Sequence, residues 1–220
     1  MNIGLFTSVY FNNIGNGFID LGAEATLKEA LPENGKIIKL SQCANFAATM
    51  GKGMILKESP FFHWLWVSIM QRFAKKLHYF IVPGCVLTVP FFTIYGQLLK
   101  NKVKEGCKII FLGASGNFYT EYEINFVSQY LQELKPYAIM TRDSVAYKHY
   151  AKFSQNSYNG IDNAFFVNRW NLPKVKTSMD PYVVLNFDEP KHKRICAELS
   201  KKVKNIIYTN HKPYPYYKVS

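Results

Sequence analysis

The chain has 220 residues, 48% of them hydrophobic and 19% charged, and carries a formal net charge of +12. That apolar content fills a sizeable core and excludes a disordered chain, while the length allows one large domain or two small ones. The charge suits nucleic acid, anionic lipid or an anionic small molecule, but the basic residues are scattered and no nucleic-acid signature motif occurs, so nucleic acid is not an expected partner.

In chain order, residues 1–10 place Ile3, Leu5 and Val9 as a first strand. Phe11, Asn12, Asn13, Ile14, Gly15, Asn16 and Gly17 follow as an expected loop, rich in residues that tolerate positive φ and expose backbone N–H groups. From Phe18 the apolar spacing becomes helical through Ile19, Ala23, Leu27 and Leu31, until Pro32 and Gly35 stop it. Residues 36–40 make a second strand, so the opening is a βαβ unit. Residues 41–60 have no clear period, and 63–76 read as a helix. A strand over 78–82 leads into Pro83-Gly84-Cys85, and a helix is expected over 93–103. The strand over 107–112 feeds a second small-residue loop, Gly113-Ala114-Ser115-Gly116-Asn117. Residues 121–134 form a helix with Ile124, Val127, Tyr130, Leu131 and Leu134 on one face.

The apolar run 137–141 suits a buried strand, with Arg142 at its carboxyl end. Asp143 or Ser144 then N-caps a helix through Val145, Ala146 and Tyr150. Residues 159–167 supply Gly160, Ile161, Asp162, Asn163 and a short apolar strand. Strands over 182–186 and 205–208, with a helix over 191–204 between them, begin a second α/β unit. The expected division is a Rossmann-like domain over 1–172, a linker over 173–181 and the start of a second unit over 182–220, which reads as truncated.

Cys43, Cys85, Cys107 and Cys196 form no CxxC pair, so they read as reduced, mostly buried thiols and not as a disulfide framework or zinc site. The first residues lack a basic n-region and an apolar h-region, so no secretory leader is expected. Residues 61–67 are strongly aromatic and 79–99 carry no charge, but Pro83, Gly84 and Pro90 interrupt the second run. Arg72, Lys75 and Lys76 separate the two, so neither reads as a spanning helix. A cytoplasmic location is expected, with peripheral contact at the inner membrane surface left open.

In a parallel sheet these strands share one carboxyl edge, so the loops at 13–17, 83–85, 113–117 and 142–144 would line one crevice, with Asp162 and Asn163 nearby. Backbone N–H groups, helix N-termini and a guanidinium suit an anion. Arg142 and Asp143 also read as a plain ion pair around a turn. Neither GxGxxG nor GxxxxGK[ST] occurs.

The ordered set of motifs resembles the polysaccharide pyruvyl transferase family over roughly residues 1–170. Asn13-Ile14-Gly15-Asn16 matches an Asn-x-Gly-Asp-type loop, with Asn in the last position. Pro83-Gly84-Cys85 and Leu112-Gly113-Ala114-Ser115-Gly116 match the family's later loops. Arg142-Asp143-Ser144 ahead of a helix, then Asp162-Asn163-Ala164-Phe165, is the most specific match. The resemblance implies a GT-B-like pair of Rossmann-like domains and transfer of pyruvate from phosphoenolpyruvate to a saccharide as a ketal, with no further cofactor and no metal. It implies substrate-binding roles for Asn13, Gly15, Asn16, Gly17, Gly84, Gly113, Ser115, Gly116, Arg142, Asp162 and Asn163. Arg142 is the expected donor clamp, supplemented by loop amides at Gly15 to Gly17, Ser115 and Gly116. The family's second-domain Arg and His segment has no match here, and no catalytic acid or base is assigned. A non-catalytic module of the same fold and a sugar-nucleotide glycosyltransferase are the alternatives.

Overall fold

A computed structural model describes residues 1–8, 14–42, 65, 68–69, 76–170, 182–186, 197–199, 201–203 and 205–209. Asn13, the linker, most of the helix expected over 63–76 and most of that over 191–204 lie outside the described residues.

Six strands form one parallel sheet: β1 (Asn2–Thr7), β2 (Lys36–Ser41), β3 (Tyr79–Pro83), β4 (Lys108–Ala114), β5 (Ala138–Thr141) and β6 (Asn156–Asn159). Their order is β2-β1-β3-β4-β5-β6. This is a mixed α/β fold with a helix-flanked parallel sheet, as the strand–helix alternation implies. The order reverses between β1 and β3, so ligand-binding crevices are expected beyond the carboxyl ends of these strands.

The central strands are apolar on both faces because both are covered. On one face, Phe6, Phe80, Phe92 and Phe111 are fully buried with residues of three helices: α2 (Val89–Lys104), α3 (Glu121–Leu134) and α4 (Ser144–Tyr150). Burying each phenyl ring stabilises the fold by about 2–3 kcal/mol. On the other face, α1 (Ile14–Ala30) packs Ala23 and Leu27 against Ile3, Leu5, Ile81 and Leu112.

Four local expectations change. Helix α1 starts at Ile14, so Gly15, Asn16 and Gly17 lie in its first turn and not in a loop. The Asn16 amide explains the earlier start by donating to Ser8 O at 2.9 Å, which ties this turn to the end of β1. Helix α2 starts at Val89, because Thr88 caps it by accepting from Phe91 N. Pro90 falls in the first turn, where a missing N–H leaves no bond unmade.

Strand β4 runs on to Ala114 through a bulge between Leu112 and Ala114, with Gly113 at φ +69°. The loop therefore begins at Ser115. Finally, the apolar strand expected within 159–167 does not form. The last strand of this sheet is the polar Asn156–Asn159, which pairs only with β5 at the sheet edge and so needs no apolar run. Asp162 accepts from Ala164 N and turns the following residues into a 3-10 helix, Asn163–Arg169.

That 3-10 helix runs back from the β6 edge to α1. Trp170 Nε1 donates to Leu21 O at 2.7 Å, Lys28 Nζ lies 3.8 Å from the Trp170 ring centre, and Arg169 pairs with Glu29. A Cβ on Gly22 would lie 1.8 Å from Asn163 O. Separately, β7 (Val183–Asn186) and β8 (Ile206–Thr209) pair in parallel within a second compact unit. Among the described residues, no helix is long and apolar enough to cross a membrane.

The Gly22 contact is backbone to backbone, so no side-chain rotation relieves it. Gly22→Ala is expected to cost about 2–3 kcal/mol in urea unfolding followed by circular dichroism. A loss under 0.5 kcal/mol, about the scatter of surface substitutions, would show that the crossing is loose.

Candidate functional site

Strands β4, β5 and β6 are neighbours, so the residues just past their ends meet at one edge. Arg142 follows β5, and its N–H donates to Ala114 O at 2.9 Å, which fixes the backbone there. Its Nη1 donates to Asp162 Oδ2 at 2.5 Å and its Nη2 to Ser115 Oγ at 2.9 Å. One residue from each of three loops thus joins in a single cluster. The Arg142 and Asp162 side chains are 24% and 23% exposed, so the cluster is accessible to a ligand yet held within the protein.

Asp143 does not pair with Arg142. Its Oδ1 caps α4 by accepting from Ala146 N at 2.7 Å and also accepts from the Tyr119 hydroxyl at 3.1 Å. The plain ion pair around a turn is therefore replaced by a longer-range one with Asp162.

Two of the loop amides expected to face an anion are already used. Ser115 N donates to Cys85 O at 3.0 Å, and Gly116 N donates to the Tyr119 hydroxyl at 2.7 Å. Gly113 and Asn163 belong together. Asn163 is 2% exposed, its Nδ2 donates to Leu112 O at 2.7 Å, and a Cβ on Gly113 would lie 2.8 Å from that Nδ2. Gly84 seats α1, since a Cβ there would lie 2.4 Å from Ile19 Cγ2. Gly15, Asn16 and Gly17 lie in the first turn of α1, whose N–H groups have no partner within the helix. The cluster proper is Arg142, Asp162 and Ser115; the other described candidates build the frame around it.

Tyr119 and Glu123 complete that frame. Tyr119 has φ +53°, a left-handed backbone that a bulky residue adopts only when its surroundings impose it. Glu123 is buried, and its carboxylate accepts from Phe118 N at 3.1 Å and Tyr119 N at 2.9 Å. Thr120 in turn accepts from Glu123 N at 3.2 Å. The sequence signal for this turn is Thr120-x-x-Glu123, a capping-box pattern at a helix start. Asp20 is a further buried acid, whose Oδ2 accepts from Ser8 N at 2.9 Å at the end of β1.

Burial raises the Cys85 thiol to about 12, with the Arg142 charge pulling the other way, and raises Cys107 to about 11. Burial also raises the Tyr119 hydroxyl to about 12 and pushes Tyr150 up further. These groups are protonated at neutral pH, so neither thiol is a ready nucleophile. Among the described residues, no group of three or more His, Cys, Asp or Glu side chains comes together to hold a metal. A 630 Å³ depression lined by Met1, His78, Tyr79 and Lys108 lies at the amino edge of the sheet, opposite the edge where such sheets bind ligands.

The cluster offers guanidinium N–H donors, a hydroxyl that donates or accepts, and a fixed carboxylate that accepts. This is chemistry for holding a polar ligand in one orientation. Comparison with protein-family models, with curated proteins and with solved structures finds no match to the chain.

Tyr119→Phe removes the acceptor for Gly116 N and the donor to Asp143. It should cost about 1–2 kcal/mol in chemical denaturation, and an unchanged midpoint would deny the hydroxyl its bracing role. In the native protein at pH 8, four units below the Cys85 value, Ellman's reagent should leave Cys85 and Cys107 unmodified, whereas both should react in urea. Rapid native labelling of the Cys85 peptide, read by mass spectrometry, would contradict its burial.

Proposed function

We propose that this chain is a polysaccharide pyruvyl transferase-like protein whose α/β domain binds phosphoenolpyruvate at the Arg142 cluster. The observation that carries the reading is the meeting of Arg142, Ser115 and Asp162 at the carboxyl edge of a parallel sheet. Ligands of open α/β sheets bind at this edge, and a guanidinium matches a carboxylate or phosphate in shape and charge. The motif order along the chain supports the same family reading.

In the proposed reaction the enol carbon of phosphoenolpyruvate bonds to two saccharide oxygens. Inorganic phosphate leaves, one hydroxyl proton ends on the methylene carbon to make a methyl group, and the other departs with phosphate. Arg142 would hold the donor so that its enol carbon faces the acceptor hydroxyls. A GT-B-like arrangement would bring a second α/β unit, here the one containing β7 and β8, into the protein's working form. The reading includes a saccharide acceptor and work in the cytoplasm at or near the inner membrane surface.

One observation favours a second reading, ligand binding without turnover by a module of the same fold. The Ser115 and Gly116 amides and much of the Arg142 charge are engaged within the protein, which suits holding a ligand more than stabilising new charge.

Thermal unfolding with phosphoenolpyruvate is the first test. A ligand at about one hundred times its dissociation constant adds about 2.7 kcal/mol of stability, several degrees in midpoint. Arg142→Ala should abolish the shift, and Arg142→Lys should leave a smaller one because it keeps the charge but loses the planar fork. Release of phosphate with a galactose- or mannose-type acceptor separates transfer from binding alone. A shift with a nucleoside diphosphate sugar and none with phosphoenolpyruvate would replace this proposal with a glycosyltransferase.

A further inference from the structure

We infer that Asp162 is a fixed counter-charge that sets which anions the Arg142 site retains, an inference that rests on reading Arg142 as an anion clamp. Asp162 Oδ2 accepts from Arg142 Nη1 at 2.5 Å, while its Oδ1 accepts from Ala164 N at 2.9 Å. The backbone behind it cannot withdraw easily. Asn163 is buried and bonded to Leu112 O, its own carbonyl lies against Gly22, and Trp170 at the far end donates to Leu21 O. The carboxylate is therefore pinned by its capping bond and by the anchored segment that follows it in the chain.

Asp162 and Ser115 use two of the guanidinium's five N–H donors, which leaves donors for a ligand. The ligand nevertheless meets an arginine whose charge is already balanced at contact distance. It gains less attraction than from an unpaired arginine and is repelled by Asp162 itself. That penalty is common to all anions. It removes occupancy by a weak one, such as inorganic phosphate, and leaves occupancy by a ligand that adds contacts elsewhere, as a molecule carrying both carboxylate and phosphate does. A site that releases phosphate as a product gains by not retaining it.

The test is calorimetric titration of the full chain with inorganic phosphate at fixed, low ionic strength. Asp162→Asn removes the charge and keeps an oxygen to cap Ala164, and it should bind phosphate about tenfold more tightly than the unaltered chain. Asp162→Ser, also neutral and able to cap, should agree, and circular dichroism verifies that both are folded. Added salt should shrink the gain. In Arg142→Ala/Asp162→Asn the gain should vanish. Phosphate binding that is unchanged or weaker in both neutral variants overturns the inference and leaves Asp162 as a residue that only orients Arg142. A gain that persists without Arg142 overturns it too, because the charge would then be acting elsewhere. Tighter phosphate binding with no response to phosphoenolpyruvate sinks the transferase reading alone.

Discussion

One buried hydrogen bond organises the carboxyl edge of this sheet. Asn163 Nδ2 donates to Leu112 O where β4 bulges, in a place almost closed to solvent. A polar group buried there without a partner would cost about 1–3 kcal/mol, so the amide and the carbonyl specify each other. The bond fits because Gly113 carries no side chain and its φ of +69° bends the strand out of the way. It fits on the other side because Gly22 lets the Asn163 carbonyl lie against α1. Two glycines distant in sequence are thus matched to one asparagine.

The site follows from that constraint. With Asn163 fixed, Asp162 stands one residue earlier at the end of the crossing segment and reaches Arg142. Arg142 is fixed in turn by its backbone bond to Ala114 and by Ser115. The Tyr119 and Glu123 turn braces the loop that contains Ser115 and Gly116. Each polar group in the cluster is therefore oriented by another that is already anchored. Such preorganisation lowers the ordering cost of binding a ligand, because the side chains that meet it are already in place. It also makes the cluster a balanced one, since the carboxylate that orients Arg142 also offsets its charge.

Several features were legible along the chain. The apolar runs of β3, β4 and β5 and the 3.6-residue spacing of α3 gave their elements directly, because burial on both faces or on one stripe leaves a period in the residues. A cap at Asp143 or Ser144 was readable from their place before an apolar helix, and the structure takes Asp143. Strand β6 was not, because an edge strand made of Asn156, Ser157, Tyr158 and Asn159 has no apolar signature. The first turn of α1 was hidden by its glycines and asparagine, which read as a loop until the Asn16 bond to Ser8 is seen. Tyr119 and Glu123 left only the capping-box pattern, which marks a helix start and says nothing of a site.

The sequence by itself determined the α/β class, most of the strand and helix order, and the presence of Arg142 and Ser115 just beyond two strands, with Asp162 among the nearby candidates. These depend on local periodicity and on residue types near element ends. Only the tertiary structure decided their partners. Arg142 lies one residue from Asp143 and 20 residues from Asp162, yet pairs with the second. Helix capping takes Asp143 to Ala146 N, while the parallel pairing of β5 with β6 carries Asp162 to the guanidinium. Chain separation does not encode that choice. It is made by strands lying side by side, which brings their carboxyl ends together wherever they fall in the sequence.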